Sequence, residues 1–280
     1  MKNILLPTDF SDNSINAIRY AVQLFKKEKC TFYVLNTYTP TIYYIEYVPI
    51  NADPSGLSNA IRDNLLADLG NIVAKLKSEF KNPKHQFETI AAFNTLVLGI
   101  SEVIRDKNID YIVMGTKGAT GAKEILFGSN TVHVLKNAKC PVLAIPSDFK
   151  FEPLHDILFP TDYELDYQDK HLQPILNLAQ SFGARLNILN ASYGYDLSET
   201  QEVNKKKLDT YFKSIANVFH SVSNQTVQEA ITNFQMNVRV NLLVMINNKH
   251  SFFENLLFKN TINQIGFHLD IPFLVIPSKV

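Results

Sequence analysis

Two spacings of apolar residues alternate along this chain. Short apolar runs occur at Asn3 to Leu6, Thr31 to Asn36, His85 to Ala91, Asp110 to Met114 and Pro141 to Ile145. Their length and bounding turn residues are those of strands. Between them, apolar residues recur every three or four positions: Ile15, Ile18, Ala21, Val22 and Phe25, then Leu65, Leu69, Ile72, Val73 and Leu76 within Leu57 to Phe80. Leu96 to Arg105 and Ser129 to Lys136 read the same way. That spacing puts one apolar stripe on a helix. Asp9, Ser11 or Asp12 can cap the first helix, and Ser129 or Asn130 the last. Strands alternating with helices predict an α/β fold, a mostly parallel sheet covered on both faces.

The pattern then begins again. Asp156-Ile157-Leu158-Phe159-Pro160-Thr161-Asp162-Tyr163 repeats Asn3-Ile4-Leu5-Leu6-Pro7-Thr8-Asp9-Phe10 at an offset of 153, and Ile271 to Pro277 repeats Cys140 to Pro146 at 131. Matches at both ends of each half indicate a tandem duplication, with domains at 1–146 and 154–280. The second copy is shorter by 153 − 131 = 22 residues. About half of that loss is assigned to the segment Thr37 to Ser58, and the rest to a curtailed helix near Thr232 to Arg239. Thr37 to Ser58 carries Tyr38, Tyr43, Tyr44 and Tyr47 with Pro40, Pro49 and Pro54, and is too long for an ordinary connection. A lid, a packing arm and a mobile loop all fit it. Unpaired apolar edges invite aggregation, so Val142 to Ile145 and Phe273 to Ile276 are expected side by side and antiparallel.

Composition narrows the function classes. With 46% hydrophobic and 19% charged residues among 280, the chain can fill two cores. Lysine plus arginine equals aspartate plus glutamate at 27 each, so no basic field recommends nucleic acid and no charge run a membrane surface. Cys30 and Cys140 form no CxxC and no zinc pattern. Met1-Lys2-Asn3 leads straight into a strand, without a signal-like or membrane-length apolar stretch, so a cytoplasmic location is expected.

The candidate chemistry lies between Val113 and Thr131, where Gly115, Gly118, Gly121 and Gly128 separate a strand from a helix. Such a turn offers N–H groups and a partial positive charge to phosphate, although glycines after a strand also serve simply as tight turns. Neither G-x-x-x-x-G-K-[ST] nor G-x-G-x-x-G fits. The spacing present is Gly115, two residues, Gly118, nine residues, then Gly128-Ser129, with Glu124-Ile125-Leu126-Phe127 leading in. That pattern resembles the nucleotide signature of the universal stress protein family, in its ATP-binding branch. Pro7-Thr8-Asp9-Phe10-Ser11 and Cys140-Pro141-Val142 extend the resemblance, which is strong in the first half and weak in the second.

The resemblance implies two tandem open five-stranded sheets, adenine nucleotide alpha hydrolase-like and pseudo-twofold related, with ligand at the carboxyl ends of the strands. It implies ATP, with magnesium as a candidate counter-ion. Pro7, Thr8 and Asp9 would line the adenosine end, with Thr37 just past the second strand beside adenine. Gly115, Gly118, Gly128, Ser129 and Asn130 would supply backbone N–H groups to the phosphates, and Ser129 its hydroxyl, with Met114 a further nucleotide-binding residue. Plainer roles compete: Asp9 as a helix cap, Lys117 and Lys123 as solvated lysines, His133 as a surface residue, and the tyrosines as packing. The second half keeps Pro160-Thr161-Asp162 but carries Ile246, Lys249, Lys259 and Asn260 where the first has Gly115, Gly118, Gly128 and Ser129. Its stretch Phe252 to Ile265 is expected to continue as helix. The resemblance implies a nucleotide-dependent stress-response regulator that is not an enzyme beyond slow ATP hydrolysis. The alternative is an interaction scaffold of the same fold without nucleotide. Intramolecular pairing of the halves is expected, and a homodimer stays open.

Overall fold

Apolar runs too short for helices bury on both faces here, which is what a parallel sheet needs of its strands. The computed structural model describes residues 1–39, 54–117, 127–192, 194–248 and 270–278. They form two compact units, Met1–Cys140 and Pro141–Val280.

The first unit runs β1 (Lys2–Pro7), α1 (Asp12–Leu24), β2 (Cys30–Tyr38), α2 (Pro54–Phe80), β3 (His85–Phe93), α3 (Leu96–Lys107), β4 (Tyr111–Gly115) and α4 (Ser129–Asn137). Its strands lie in the order β3-β2-β1-β4, parallel where paired. Leu5, Leu6, Phe32, Val34, Ile112 and Val113 are fully buried in them. Ala17, Ile18, Ala21 and Val22 of α1 are buried, as are Leu69, Val73 and Leu76 of α2. Leu65 and Ile72 are half-buried at the margin of that stripe. Ser11 is the residue that caps α1, its side chain accepting from the Ser14 N–H at 3.3 Å. At α4 the expectation needs correction: the cap is Gly128, not Ser129 or Asn130. Ser129 already has helical backbone while Gly128 is extended, at φ −61° and ψ 155°.

The second unit runs β5 (Val142–Ile145), β6 (Asp156–Pro160), α5 (Asp169–Phe182), β7 (Arg185–Ser192), α6 (Glu199–Phe212), β8 (Asn217–Ser223), α7 (Val227–Asn237), β9 (Leu242–Asn247) and β10 (Phe273–Pro277). The strand order is β5-β10-β9-β6-β7-β8. All these pairs are parallel except β5 with β10, which are antiparallel as expected. Phe273 faces Ala144, Leu274 faces Leu143 and Val275 faces Val142. Leu143 and Leu274 are equivalent at the 131-residue offset, so this strand pair is symmetric about them. β5 closes the first repeat in sequence, yet it packs with the second unit. Among the described residues each repeat supplies five strands, and the α/β, mostly parallel class holds.

The shortening of the second copy is more localised than expected. The offset between equivalent strands is 154 at the ends of β2 and β7 (Tyr38, Ser192) and 132 at the starts of β3 and β8 (His85, Asn217). The whole loss therefore falls before β8, where α6 has 14 residues against 27 in α2. No helix is curtailed near Thr232: α7 has 11 residues and α3 has 12. Most of Thr37 to Ser58, and the proposed helix Phe252 to Ile265, lie outside the described residues. Burial, ahead of the Glu28 charge at Cys30 and of Asp110 at Cys140, pushes both thiols up to about 12, which leaves them unreactive at neutral pH.

Two buried histidines give the fold a pH dependence. His85 donates from Nε2 to the Phe25 carbonyl at 3.1 Å. His171 accepts the Gln168 N–H on Nδ1 at 3.2 Å and donates from Nε2 to the Ser278 carbonyl at 3.1 Å, an arrangement that needs the neutral ring. Burial lowers both pKa values below 6.5, against the opposing pull of those carbonyls. A depressed native pKa means that the unfolded chain takes up protons first as pH falls. Stability should therefore be level above pH ~7 and decline below the unfolded value, by at most about 1.4 kcal/mol per pH unit for each ring that stays neutral. Urea midpoints at pH 7.5 and 5.5 check this. His171→Gln should flatten the decline, and equal midpoints at both pH values would contradict it.

Candidate functional site

Pro7 ends β1 and the chain turns at once. The Thr8 N–H reaches the Leu35 carbonyl at 2.8 Å. The Thr8 hydroxyl accepts the Phe10 N–H at 3.0 Å and pairs with the Ser14 hydroxyl at 2.8 Å. Phe10 takes up the left-handed conformation, φ 64°, and the Asn36 amide donates to the Thr8 carbonyl at 2.8 Å. Asp9 does not cap α1 itself. Its Oδ1 accepts the N–H and the hydroxyl of Ser11, the residue that does. Partial burial works to raise the Asp9 pKa, but hydrogen bonds from Ser11, Ser14 and its own backbone outweigh it and hold it below 3.8. Asp9 is thus an ionised, exposed acceptor at neutral pH.

The opposite wall comes from the end of β4 and the start of α4. The Gly115 carbonyl accepts from the Thr131 hydroxyl at 3.0 Å, and the Thr116 carbonyl from the Gly128 N–H at 2.8 Å. Because glycine has no side chain to fold back, the cap residue itself leaves the first N–H groups of α4 open. Its first N–H groups and the positive end of its dipole suit an anion. Ser129 and Asn130, in that first turn, are exposed.

Between these walls lies a cavity of about 450 Å³. Pro7, Thr8, Asp9, Thr37, Met114, Gly115, Gly128, Ser129 and Asn130 all line it. The remaining candidate, Gly118, lies outside the described residues, as do Gly121, Lys123 and Glu124. Lys117 lines the cavity as well. Ser14, Asn36, Leu96 and Thr131 complete the lining among the described residues and were missed. Of these, Asn36 left a signal in the chain, an amide directly after the apolar run Phe32 to Leu35, and it is buried and bonded to Thr8. Thr37 lies inside β2 rather than past it. Its methyl packs on α3, where a β-carbon at Gly99 would stand 2.8 Å from Cγ2. Gly115 also has a different reason from the one expected. A β-carbon there would meet Asn13 of α1 at 2.6 to 2.8 Å, so the close approach comes from inside the protein. One end of the cavity therefore offers a carboxylate and hydroxyls. The other offers N–H donors and a lysine, with Pro7, Leu96 and Met114 as apolar lining. No cluster of metal-ligating side chains occurs among the described residues.

The second unit repeats the turn and fills it. The Thr161 N–H reaches the Leu189 carbonyl at 2.8 Å, the Tyr163 N–H reaches the Thr161 hydroxyl at 3.1 Å, and the Asn190 amide donates to the Thr161 carbonyl at 2.9 Å. Tyr163 has φ 59°. The hydroxyl partner of Thr161, however, is Tyr167 rather than a serine. From α6, Gln201 donates to the Asp162 carbonyl at 2.9 Å and Asn204 to the Tyr163 carbonyl at 2.8 Å. Tyr163 and Tyr167 are buried. Burial raises the Asp162 pKa, against the Glu164 and own-backbone N–H groups that oppose it, the reverse of Asp9. Ile246 is buried in β9 opposite Ile276. Lys249, Lys259 and Asn260 lie outside the described residues.

Comparison with known proteins matches residues 1–146 to the model of the universal stress protein family. The chain is 32% identical over 145 residues to universal stress protein MJ0531 of Methanocaldococcus jannaschii, covering 51% of this chain and 81% of that one. It is 28% identical over 153 residues to MJ0577 of the same organism, covering 51% and 94%. A crystal structure of a universal stress protein from Archaeoglobus fulgidus superposes over 98% of both chains, with a TM-score of 0.69 at 18% identity, a likeness of fold. No helix among the described residues is long and apolar enough to cross a membrane.

Gly115→Ala tests the packing of this wall. The new methyl would displace the Asn13 amide from the Lys117 carbonyl it bonds. Losing one such bond should lower stability by roughly 1 kcal/mol, read as a fall in the urea midpoint. An unchanged midpoint would show that Asn13 has room to move.

Proposed function

The chain belongs to the universal stress protein family, and from that premise we propose that it binds ATP in the cavity of its first unit and acts as a nucleotide-dependent stress-response regulator. One observation carries this reading: Pro7-Thr8-Asp9, Thr37 and the Gly128-Ser129-Asn130 start of α4, far apart in sequence, line one cavity. Its polar groups are divided as the ligand would require. Asp9 and Thr8 suit the hydroxyl and amine donors of adenosine, and the uncapped start of α4 with Lys117 suits phosphate. Magnesium would ride on the phosphate oxygens.

The site is read as binding rather than catalytic. Phosphoryl transfer needs a metal-holding acid at the phosphates, whereas Asp9 sits with Thr8 at the end of β1 and the one acid between Gly115 and Thr131 is Glu124, outside the described residues. We place the repeats at 1–146 and 154–280 and read the second as a structural partner. Its Thr161-Asp162-Tyr163 turn is covered by Gln201, Asn204 and Tyr167. That closure is also what favours the second reading, a scaffold without nucleotide, for that half.

Titration calorimetry on the whole chain should therefore give one ATP per chain, bound more tightly than adenosine. Gly128→Val places a branched side chain where phosphate must approach backbone. It should weaken ATP by at least about tenfold, on the order of 1.4 kcal/mol, with the circular dichroism unchanged. Two equal sites would contradict the reading of the second unit. A chain that takes up no ATP, and releases no adenine nucleotide on heat denaturation, would favour the scaffold.

A further inference from the structure

Three consecutive carbonyls at the end of β4 are held by three different groups. Gly115 accepts from the Thr131 hydroxyl and Thr116 from the Gly128 N–H, both on the α4 side. Lys117 accepts from the side-chain amide of Asn13, which comes from α1. We propose that Asn13 is a positioning residue that sets the phosphate wall of the cavity, and so lets the site prefer a phosphorylated nucleoside over the bare nucleoside. This inference rests on the nucleotide reading above, and goes beyond it by naming what holds the wall in place.

Two features separate this role from ordinary packing. The Oδ1 of Asn13 is buried and has no hydrogen-bond partner among the described residues. A buried acceptor left unpaired is costly, so an apolar side chain of similar shape would relieve that cost while leaving the Lys117 carbonyl without its donor. What the amide supplies, and an apolar group cannot, is a fixed direction for the Lys117 carbonyl. A trans peptide carries its C=O and N–H on opposite sides. Holding the Gly115 and Thr116 carbonyls therefore fixes the N–H groups of Thr116 and Lys117 in the same planes, and the Asn13 bond pins the backbone of Lys117, whose residue lines the cavity. Gly115 belongs to the same device, because only a residue without a β-carbon leaves room for Asn13. Asn13 itself does not line the cavity, but Gly115, Lys117 and its neighbour Ser14 do. It therefore ties the Thr8–Ser14 turn to the wall that faces phosphate.

Asn13→Leu keeps the approximate shape and removes the donor together with the unpaired acceptor. In calorimetry on the full chain, ATP affinity should fall at least about tenfold while adenosine affinity stays within about twofold. The urea midpoint should fall no further than in Gly115→Ala, which loses the same bond. Parallel losses for ATP and adenosine, or a larger fall in midpoint, would mean that Asn13 is only structural and would overturn the proposal. An ATP affinity equal to the parent's would overturn it too. A second measurement needs no ligand. Hydrogen exchange in a peptide spanning residues 111–117 of the nucleotide-free chain should be faster in the variant, and unchanged exchange would rule out the anchoring. A parent chain that binds neither ATP nor adenosine would remove the nucleotide reading and the selectivity with it. The exchange arm would then still decide whether Asn13 holds the wall.

Discussion

Parallel strands stop at one end of a sheet with their last backbone groups unpaired, and those groups must be satisfied by something other than the next strand. Much of what distinguishes this protein is its way of meeting that requirement. At the end of β1 the Thr8 carbonyl is taken by Asn36, and the Thr8 hydroxyl takes the N–H of Phe10. At the end of β4 the Gly115 and Thr116 carbonyls are taken by Thr131 and Gly128, and just beyond it the Lys117 carbonyl by Asn13. Since these partners come from the flanks, a space is left between them, and that space is the cavity.

The second unit meets the same requirement with the same turn and reaches a different result. Thr161, Tyr163 and Asn190 reproduce the bonds of Thr8, Phe10 and Asn36 to within about a tenth of an ångström. α6 then adds Gln201 and Asn204 to the carbonyls that follow, and Tyr167 closes on the threonine hydroxyl. The two aspartates register the outcome: Asp9 stays exposed with its pKa held low, whereas burial raises that of Asp162. Duplication thus preserved a turn while its surroundings diverged, and the same Pro-Thr-Asp stands in two different environments.

Much of the fold was legible in the chain. Strand and helix periods are local properties, and burial on both faces demands the continuous apolar runs seen at Leu5, Phe32 and Ile112. Repeats at both ends of each half made the duplication visible, and apolar edges led to the β5–β10 pairing. The candidate site was legible as far as motif spacing carries. It did not reveal Ser14, Leu96 and Thr131, whose types are unremarkable in helices and whose roles arise from neighbours distant in sequence. The location of the 22-residue loss was also misplaced, because offsets at the two ends of a repeat give its total and not its position.

The sequence by itself determined the α/β class, the two repeats and the candidate residues of the first half, because each rests on local periodicity or on comparison of the chain with itself. Only the tertiary structure decided that Gly128 rather than Ser129 caps α4, that Gly115 makes room for Asn13, and that α6 covers the turn in the second unit. Those outcomes depend on which side chain reaches which unpaired backbone group across the end of a sheet. That is a question of distances between segments far apart in the chain, and no local pattern encodes it.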